Sequence, residues 1–310
     1  MLENKTLLYA HGFASSGQSG TVERLRKLLP ATRILAPDLP VSACEALTLL
    51  QAIAEKEHPD VIVGSSMGGM LVEQLKGYDR VLVNPAFEMG SANKSTLLGR
   101  HEFRAPRKDG ATEFRITKPI IEEFQTVASG NFLHASEEEE QQRVFGLFGV
   151  HDDLVHTQPL FAQHYRQAIP FDGGHFLNDS AIAHALIPVL RWIDNRQEQR
   201  QLPVLYLGID TLLDAHDKPR SSAVKAVEML SEHYDIYALG AGERLMSLMA
   251  FGVPLWNRWI QVPRRSLLLG DYLLDTTKDE AFFGTSLLFG EPPFKTWEDA
   301  LIYFDRLGGQ

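Results

Sequence analysis

Short apolar runs and amphipathic stretches alternate along the first two-thirds of the chain. Thr6–Tyr9 reads as a strand, and a Gly/Ser-rich loop follows from His11 to Gly20. Val22, Leu25, Leu28 and Leu29 recur at helical spacing across Thr21–Leu29, and Pro30 stops the run. Ile34–Ala36 is a second short strand. Ala43, Ala46, Leu47, Leu50, Ile53 and Ala54 mark one face of a helix with Ser42 as its N-cap, and Cys44 is placed on that apolar face as a core residue. Val61–Val63 and Val81–Val83 are further strands, with a helix over Met67–Lys76 between them closed by Gly77. Continuous apolar strands separated by helices predict a parallel sheet covered on both faces.

The rhythm breaks between Phe87 and Arg143, a polar, irregular stretch placed where a lid would lie. Its run Glu137–Glu140 reads as a solvated face. Strands return at Val144–Phe148 and Ala168–Phe171, and a helix over Ser180–Asn195 closes the series. The polar stretch Asp194–Gln201 before Pro203 is the candidate boundary. A second alternating series follows: strands at Val204–Ile209, Ile236–Leu239, Ser266–Leu269 and Ser286–Phe289, and helices at Ser222–His233 and Trp297–Leu307. The expected organisation is an α/β domain over 1–197 with a lid region at 87–143, then a smaller Rossmann-like α/β domain over 202–310.

With 310 residues, one large or two ordinary domains are expected, and 44% hydrophobic content can bury a core. Lys+Arg 30 against Asp+Glu 40 gives a net charge of −10, which argues against a nucleic-acid-coating protein. A single cysteine permits no internal disulfide and fits a reducing compartment. The N-terminus lacks the basic segment and long apolar core of a signal peptide, and no apolar run approaches the ~18–20 residues that span a bilayer. A cytoplasmic protein without membrane or nucleic-acid partners is the expectation.

The chemistry concentrates in Val61-Ile62-Val63-Gly64-Ser65-Ser66-Met67-Gly68-Gly69, which contains G-x-S-x-G between a strand and a helix. A nucleophile on so sharp a turn needs small neighbours two residues either side. Ser66 has Gly64 and Gly68 there, whereas Ser65 has Val63 and Met67. Its partners should follow in the order acid, then histidine. After one strand stand Asp152 and Asp153, with Asp152 nearer the strand end and Asp153 the alternative. After the next stands His175, behind Gly173-Gly174. Asp152 would fix the tautomer of His175. The backbone amides of Met67 and Phe13 are the candidate oxyanion-hole donors. His151, Asp152, Asp153 and His156 also admit a metal-cluster reading, although their spacing matches no short metal motif.

The segments LLYAHGFASSGQSG, APDLP, VGSSMGGML and VLVNPA, with this Asp/His pair, resemble the YqiA-like esterases, a branch of the α/β-hydrolases, over roughly residues 5–193. The resemblance implies a triad carried onto Ser66, Asp152 and His175, and metal-free, cofactor-free hydrolysis of a small-molecule ester or thioester. The 87–143 insert departs from that pattern.

Val204-Leu205-Tyr206-Leu207-Gly208-Ile209-Asp210 resembles the first motif of haloacid-dehalogenase-like phosphatases of the nucleotidase type. Asp271-Tyr272-Leu273-Leu274-Asp275, Gly284–Gly290 and Trp297–Gly309 resemble later parts of that family. The family's nucleophilic aspartate is Gly208 here, and a phosphate-binding Ser/Thr is Gly240. The resemblance therefore implies a pseudo-phosphatase, with Asp210, Asp271 and Asp275 as the remaining candidates for weak Mg²⁺ binding. Three functions stay open: a serine esterase, a non-catalytic binding protein, and an active phosphatase.

Overall fold

A computed structural model describes residues 1–89, 97–240, 242–250, 255, 258–279 and 281–308. The chain divides into two compact units, Met1–Ile169 with Gly173–Ile182, and Pro170–Asp172 with Ala183–Gln310.

A six-stranded sheet lies in the first unit except for Pro170 and Phe171 of its last strand, which group with the second. Its strands are β1 (Thr6–Ala10), β2 (Arg33–Leu35), β3 (Val61–Ser65), β4 (Arg80–Val83), β7 (Val144–Gly149) and β8 (Gln167–Phe171). They lie in the order β2-β1-β3-β4-β7-β8. β1, β2, β3, β4 and β7 pair in parallel. All four residues of β4, and the first four of β3, are buried, as expected of a sheet covered on both faces. The chain runs from β1 outward to β2, then returns to β3 on the other side of β1. This reversal opens a crevice beyond the carboxyl ends of β1 and β3, where ligands bind in such sheets.

The helix Ala43–Glu57 is capped by the Ser42 hydroxyl, which accepts from Glu45 N–H at 3.2 Å. It buries Ala43, Ala46, Leu50 and Ala54. Cys44, expected in the core, is exposed. At about 3.6 residues per turn, the residue after Ala43 points about 100° away from the buried stripe.

The 87–143 stretch is more regular than its polarity implies. It holds an antiparallel hairpin, β5 (Gly99–Glu102) with β6 (Glu113–Ile116), and helices Lys118–Ala128 and Glu138–Arg143. Ile116, Phe124 and Val127 belong to the same core cluster as Leu50 and Ala54, so this part is a structural layer. Residues 90–96 of the stretch lie outside the described residues. The expected solvated run Glu137–Glu140 is solvated only in part. Glu140 is 2% exposed and ion-pairs with Arg80, itself 1% exposed.

Two expected helices differ in extent. The one starting at Met67 ends at Val72, where the next amides turn to acceptors three residues back, Gln74 N–H to Leu71 O (3.3 Å) and Leu75 N–H to Val72 O (3.1 Å), and the Glu73 carboxylate accepts from Asn131 Nδ2 (2.8 Å), Phe132 N–H (3.1 Å) and Tyr165 OH (2.6 Å). The one over Ser180–Asn195 is interrupted by a π-helical segment, Ile182–Leu186, just before Pro188. Proline has no N–H to give the preceding turn, and the ladder widens there.

The second unit carries an all-parallel five-stranded sheet built from β9 (Val204–Gly208), β10 (Asp235–Leu239), β11 (Trp259–Ile260), β12 (Leu269–Asp275) and β13 (Phe283–Leu288). Their order is β11-β10-β9-β12-β13. The strand expected at Ser266–Leu269 starts at Leu269, after a 3₁₀ turn at Arg265–Leu267. Helices Ala223–Leu230 and Trp297–Gly308 pack on one apolar cluster with β9, where Trp297 Nε1 donates to Thr211 O at 2.8 Å. Gly309 of the expected closing motif lies outside the described residues. The helix Ile187–Gln197 groups with this unit: Arg191 reaches Glu232 at 2.7 Å and Glu228 O at 3.2 Å. Asp194, the first residue of the polar stretch expected to be the boundary, is fully buried and paired with Arg200 at 2.8 Å.

Candidate active site

β3 ends at Ser65, and the next residue turns the chain into the helix Met67–Val72. Ser66 sits at φ +54° and ψ −115°, a conformation L-residues rarely adopt. The surroundings over-determine it. Ser66 N–H donates to Val83 O at 2.9 Å, while its carbonyl accepts from Ala86 N–H at 3.0 Å and Met70 N–H at 3.2 Å. The small neighbours are a steric necessity. A Cβ on Gly64 would lie 2.5 Å from Gly68 O, and one on Gly68 would lie 2.1 Å from Ala10 O.

The Ser66 hydroxyl lies 3.0 Å from His175 Nε2, and His175 Nδ1 lies 2.8 Å from Asp152 Oδ2. Three residues spread over 109 positions of sequence thus form one hydrogen-bonded chain. Asp152 and His175 are 6% and 8% exposed. The other Asp152 oxygen accepts from Leu154 N–H at 2.8 Å and Val155 N–H at 3.0 Å, which holds the carboxylate in one orientation. Asp153 is exposed, so the acid beside His175 is Asp152. Asp152 is committed to the histidine and to its own loop. Among the described residues no three His, Cys, Asp or Glu converge on a metal position.

The loop after β1 approaches Ser66 closely: a Cβ on Gly12 would meet Ser66 Cβ at 3.2 Å. Phe13 and Ser66 line the same cavity, and Met67 opens the helix, where first-turn amides have no intrahelical acceptor. The cavity measures about 590 Å³. Its wall includes Met89, Leu97, Leu154, Val155, Phe176 and Arg104, so the 87–143 stretch contributes to it.

His11 plays a part its position in the sequence does not reveal. It is 2% exposed; its Nε2 accepts from Leu39 N–H at 3.0 Å, and its Nδ1–H donates to Gly12 O at 2.8 Å. These contacts require the neutral ring and brace the loop that carries Phe13. Burial, with Arg107 adding to it, pushes its pKa from 6.5 to about 4 against the opposing effects of the Gly12 hydrogen bond and Asp38. The unfolded chain therefore binds a proton between pH 6.5 and 4 that the native state does not, and stability falls as pH drops through that window. The loss is about 3 kcal/mol once pH is below both values. Urea unfolding at pH 7 and pH 4 should show the wild type losing about that much more stability than His11→Gln. Equal losses in the two proteins would contradict the assignment.

In the second unit, Gly208 ends β9 and Gly240 follows β10. The Asp275 carboxylate fills the place of a Gly208 side chain: a Cβ there would lie 2.1 Å from Asp275 Oδ1. Asp275 accepts from Thr276 N–H at 2.8 Å and pairs with Arg265 at 3.2 Å. Asp210 pairs with Arg244 at 2.6 Å. Asp271, grouped with these by sequence, is elsewhere. It accepts from Val204 N–H at 2.7 Å at the opening end of β9, while Asp275 closes β12. Four residue steps along the strand separate them by about 13 Å. With Asp210 and Asp275 each held by an arginine and Asp271 at the other end of the sheet, these residues do not fit a divalent cation.

The first unit is thus a parallel α/β domain with a strained serine at the carboxyl end of a central strand, backed by a histidine and a buried aspartate. Residues 6–189 match the family described as "Uncharacterised protein family (UPF0227)", and the chain belongs to that family. A curated protein of Vibrio phage KVP40, named "Putative 5'(3')-deoxyribonucleotidase", is 31% identical over 102 residues, covering 29% of this chain. This chain spans 60% of that protein's length. Among solved structures, Est1E from Butyrivibrio proteoclasticus is 13% identical, covering 64% of this chain and 89% of its own at a TM-score of 0.42. The esterase domain of a Rhodothermus marinus protein is 18% identical, with coverages of 64% and 88% and a TM-score of 0.40. Such distant likenesses carry nothing about chemistry.

Proposed function

We propose that the first unit is a serine hydrolase that cleaves a small carboxylic ester or thioester. The observation that carries this reading is the hydrogen-bonded chain from Ser66 Oγ through His175 to Asp152, on a strained strand–helix turn. A serine hydroxyl is a weak nucleophile until a base takes its proton. His175 Nε2 is within reach to accept it as Oγ attacks the carbonyl carbon, and Asp152 stabilises the imidazolium that forms. The amides of Met67 and Phe13 receive the negative oxygen of the tetrahedral intermediate. His175 then returns the proton to the departing alcohol or thiol, leaving an acyl-serine. Water attacks that ester by the same route, giving the carboxylic acid and free Ser66. The apolar side of the cavity accepts the acyl group. The test is labelling with a fluorophosphonate probe: one label is expected, on Ser66, together with hydrolysis of short-chain acyl esters. A folded protein that neither takes the label nor turns over any such ester ends the reading.

We further infer that the second unit is a haloacid-dehalogenase-like domain without phosphatase chemistry. Its support is the Asp275 carboxylate in the space beside Gly208 and the arginines paired with Asp275 and Asp210. Mg²⁺ should release no phosphate from aryl phosphates or deoxynucleoside monophosphates above a protein-free control. Mg²⁺-dependent release that survives Ser66→Ala would overturn this.

A further inference from the structure

We propose that Asn84 is a positioning residue for the triad: its side-chain amide fastens both the loop that carries His175 and the strand end that leads to Asp152 onto the sheet beside Ser66. The inference rests on the serine-hydrolase reading of Ser66, His175 and Asp152.

Asn84 follows β4 directly, between the strand that delivers the nucleophile and the strand that delivers the acid. Its own N–H donates to Leu147 O at 2.8 Å, while the preceding carbonyl, Val83 O, accepts from Ser66 N–H at 2.9 Å. The backbone at Asn84 is thereby tied to both neighbours. Its side chain is 2% exposed and contacts three backbone groups. Oδ1 accepts from Gly149 N–H at 2.8 Å, three residues before Asp152. Nδ2 donates to Gly174 O at 3.0 Å and to His175 O at 3.1 Å. One amide group therefore holds the histidine's own carbonyl and the start of the acid loop.

The His175 segment needs such a hold. It follows Gly173-Gly174 and lies in neither helix nor strand. The acid loop meets it through His151 N–H to Gly173 O at 3.0 Å, and a Cβ on Gly149 would lie 2.4 Å from Gly173 O. Those contacts join the two loops to each other. Asn84 joins the pair to the sheet next to Ser66, and so helps set the His175–Ser66 distance.

The residue type follows from the task. The position needs one acceptor, two donors and a short side chain, at φ +44° where asparagine is among the few non-glycine residues at ease. Aspartate keeps the acceptor for Gly149 but loses both donors and turns a carboxylate towards two carbonyl oxygens. Serine supplies only one donor. Alanine leaves the buried N–H and carbonyls without this partner.

The experiment compares Asn84→Ala, Asn84→Asp and Asn84→Ser with the wild type, each as the full chain. Misplacing a catalytic group by about 1 Å lowers rate about 100-fold, and kcat on a short-chain acyl ester should fall by about that factor while KM changes less than about threefold. A second readout needs no substrate: the low-field proton NMR signal of the His175 Nδ1–H···Asp152 hydrogen bond, expected in the wild type and lost or exchange-broadened in Asn84→Ala. Folded variants that keep the low-field signal and kcat of the wild type overturn the proposal. So does failure of all three variants to fold, which would make the contact purely structural. If the wild type shows the signal yet hydrolyses no ester, the hydrolase reading falls, and the NMR comparison alone decides the role of Asn84.

Discussion

Ser66→Ala should yield a folded protein whose turnover of short-chain acyl esters is lower by about ten-thousand- to million-fold, the range seen when a triad member is removed elsewhere. Removing the hydroxyl deletes the group that forms the acyl intermediate, and no neighbour can replace it. Ser65 belongs to β3, and the turn that presents a hydroxyl to His175 occurs one residue later. The substitution should leave folding almost untouched, because the strain at φ +54° resides in the backbone and the tethers to Val83, Ala86 and Met70 are main-chain bonds. Matched circular dichroism and urea midpoints would establish that the lost rate is chemical. Fluorophosphonate labelling should vanish with activity. Retention of more than about a hundredth of the wild-type rate would place the nucleophile elsewhere, since removing a triad nucleophile costs far more.

Glu140→Ala should destabilise the first unit by about 3–5 kcal/mol, the usual consequence of stripping one partner from a buried ion pair. Arg80 is 1% exposed and hydrogen-bonds Glu140 and the carbonyls of Glu73 and Tyr78, while the buried Glu73 and Asp79 carboxylates also act on its charge. Alanine would leave its guanidinium without the carboxylate it is paired with, and Gly77 N–H would lose its 3.0 Å bond to Glu140 as well. Replacing both partners, Arg80→Met with Glu140→Leu, should recover only part of the loss, because it removes both charges of the pair but takes the cation away from the buried Glu73 and Asp79 carboxylates. Urea unfolding of the three proteins separates these outcomes. If the single variant is within about 1 kcal/mol of the wild type, as for an exposed pair, the burial of this ion pair is not real in solution. Esterase activity per folded molecule should be unchanged, since neither residue lines the cavity.

Much of the central sheet was legible because each strand is a short apolar run bounded by polar or glycine residues. β1, β3, β4 and β7 each fall within two residues of their expected positions. The sharp turn at Ser66 was legible for a local reason: Gly64 and Gly68 flank it at the two positions where the strand and helix cross. Other features depend on partners distant in sequence. Nothing near Glu140 announces Arg80, so a run of glutamates reads as solvent-facing. Asp152 and Asp153 differ by one position on an irregular loop, and only the placement of His175 distinguishes them. Asp271 and Asp275 look like one acidic motif, yet a strand carries them to opposite ends of the sheet.

The order of residue types along this chain determined, by itself, an alternating α/β architecture and a serine on a sharp turn after its third strand, because apolar periodicity and the small neighbours of a tight crossing are local properties. The tertiary structure alone decided which aspartate meets the histidine, that the buried His11 ring is held neutral between Leu39 N–H and Gly12 O, that a polar stretch supplies part of the core, and that Asn84 reaches the loops of both Asp152 and His175. Each of those depends on groups brought together across the sheet, where burial and hydrogen-bond geometry act and sequence spacing carries no record of them.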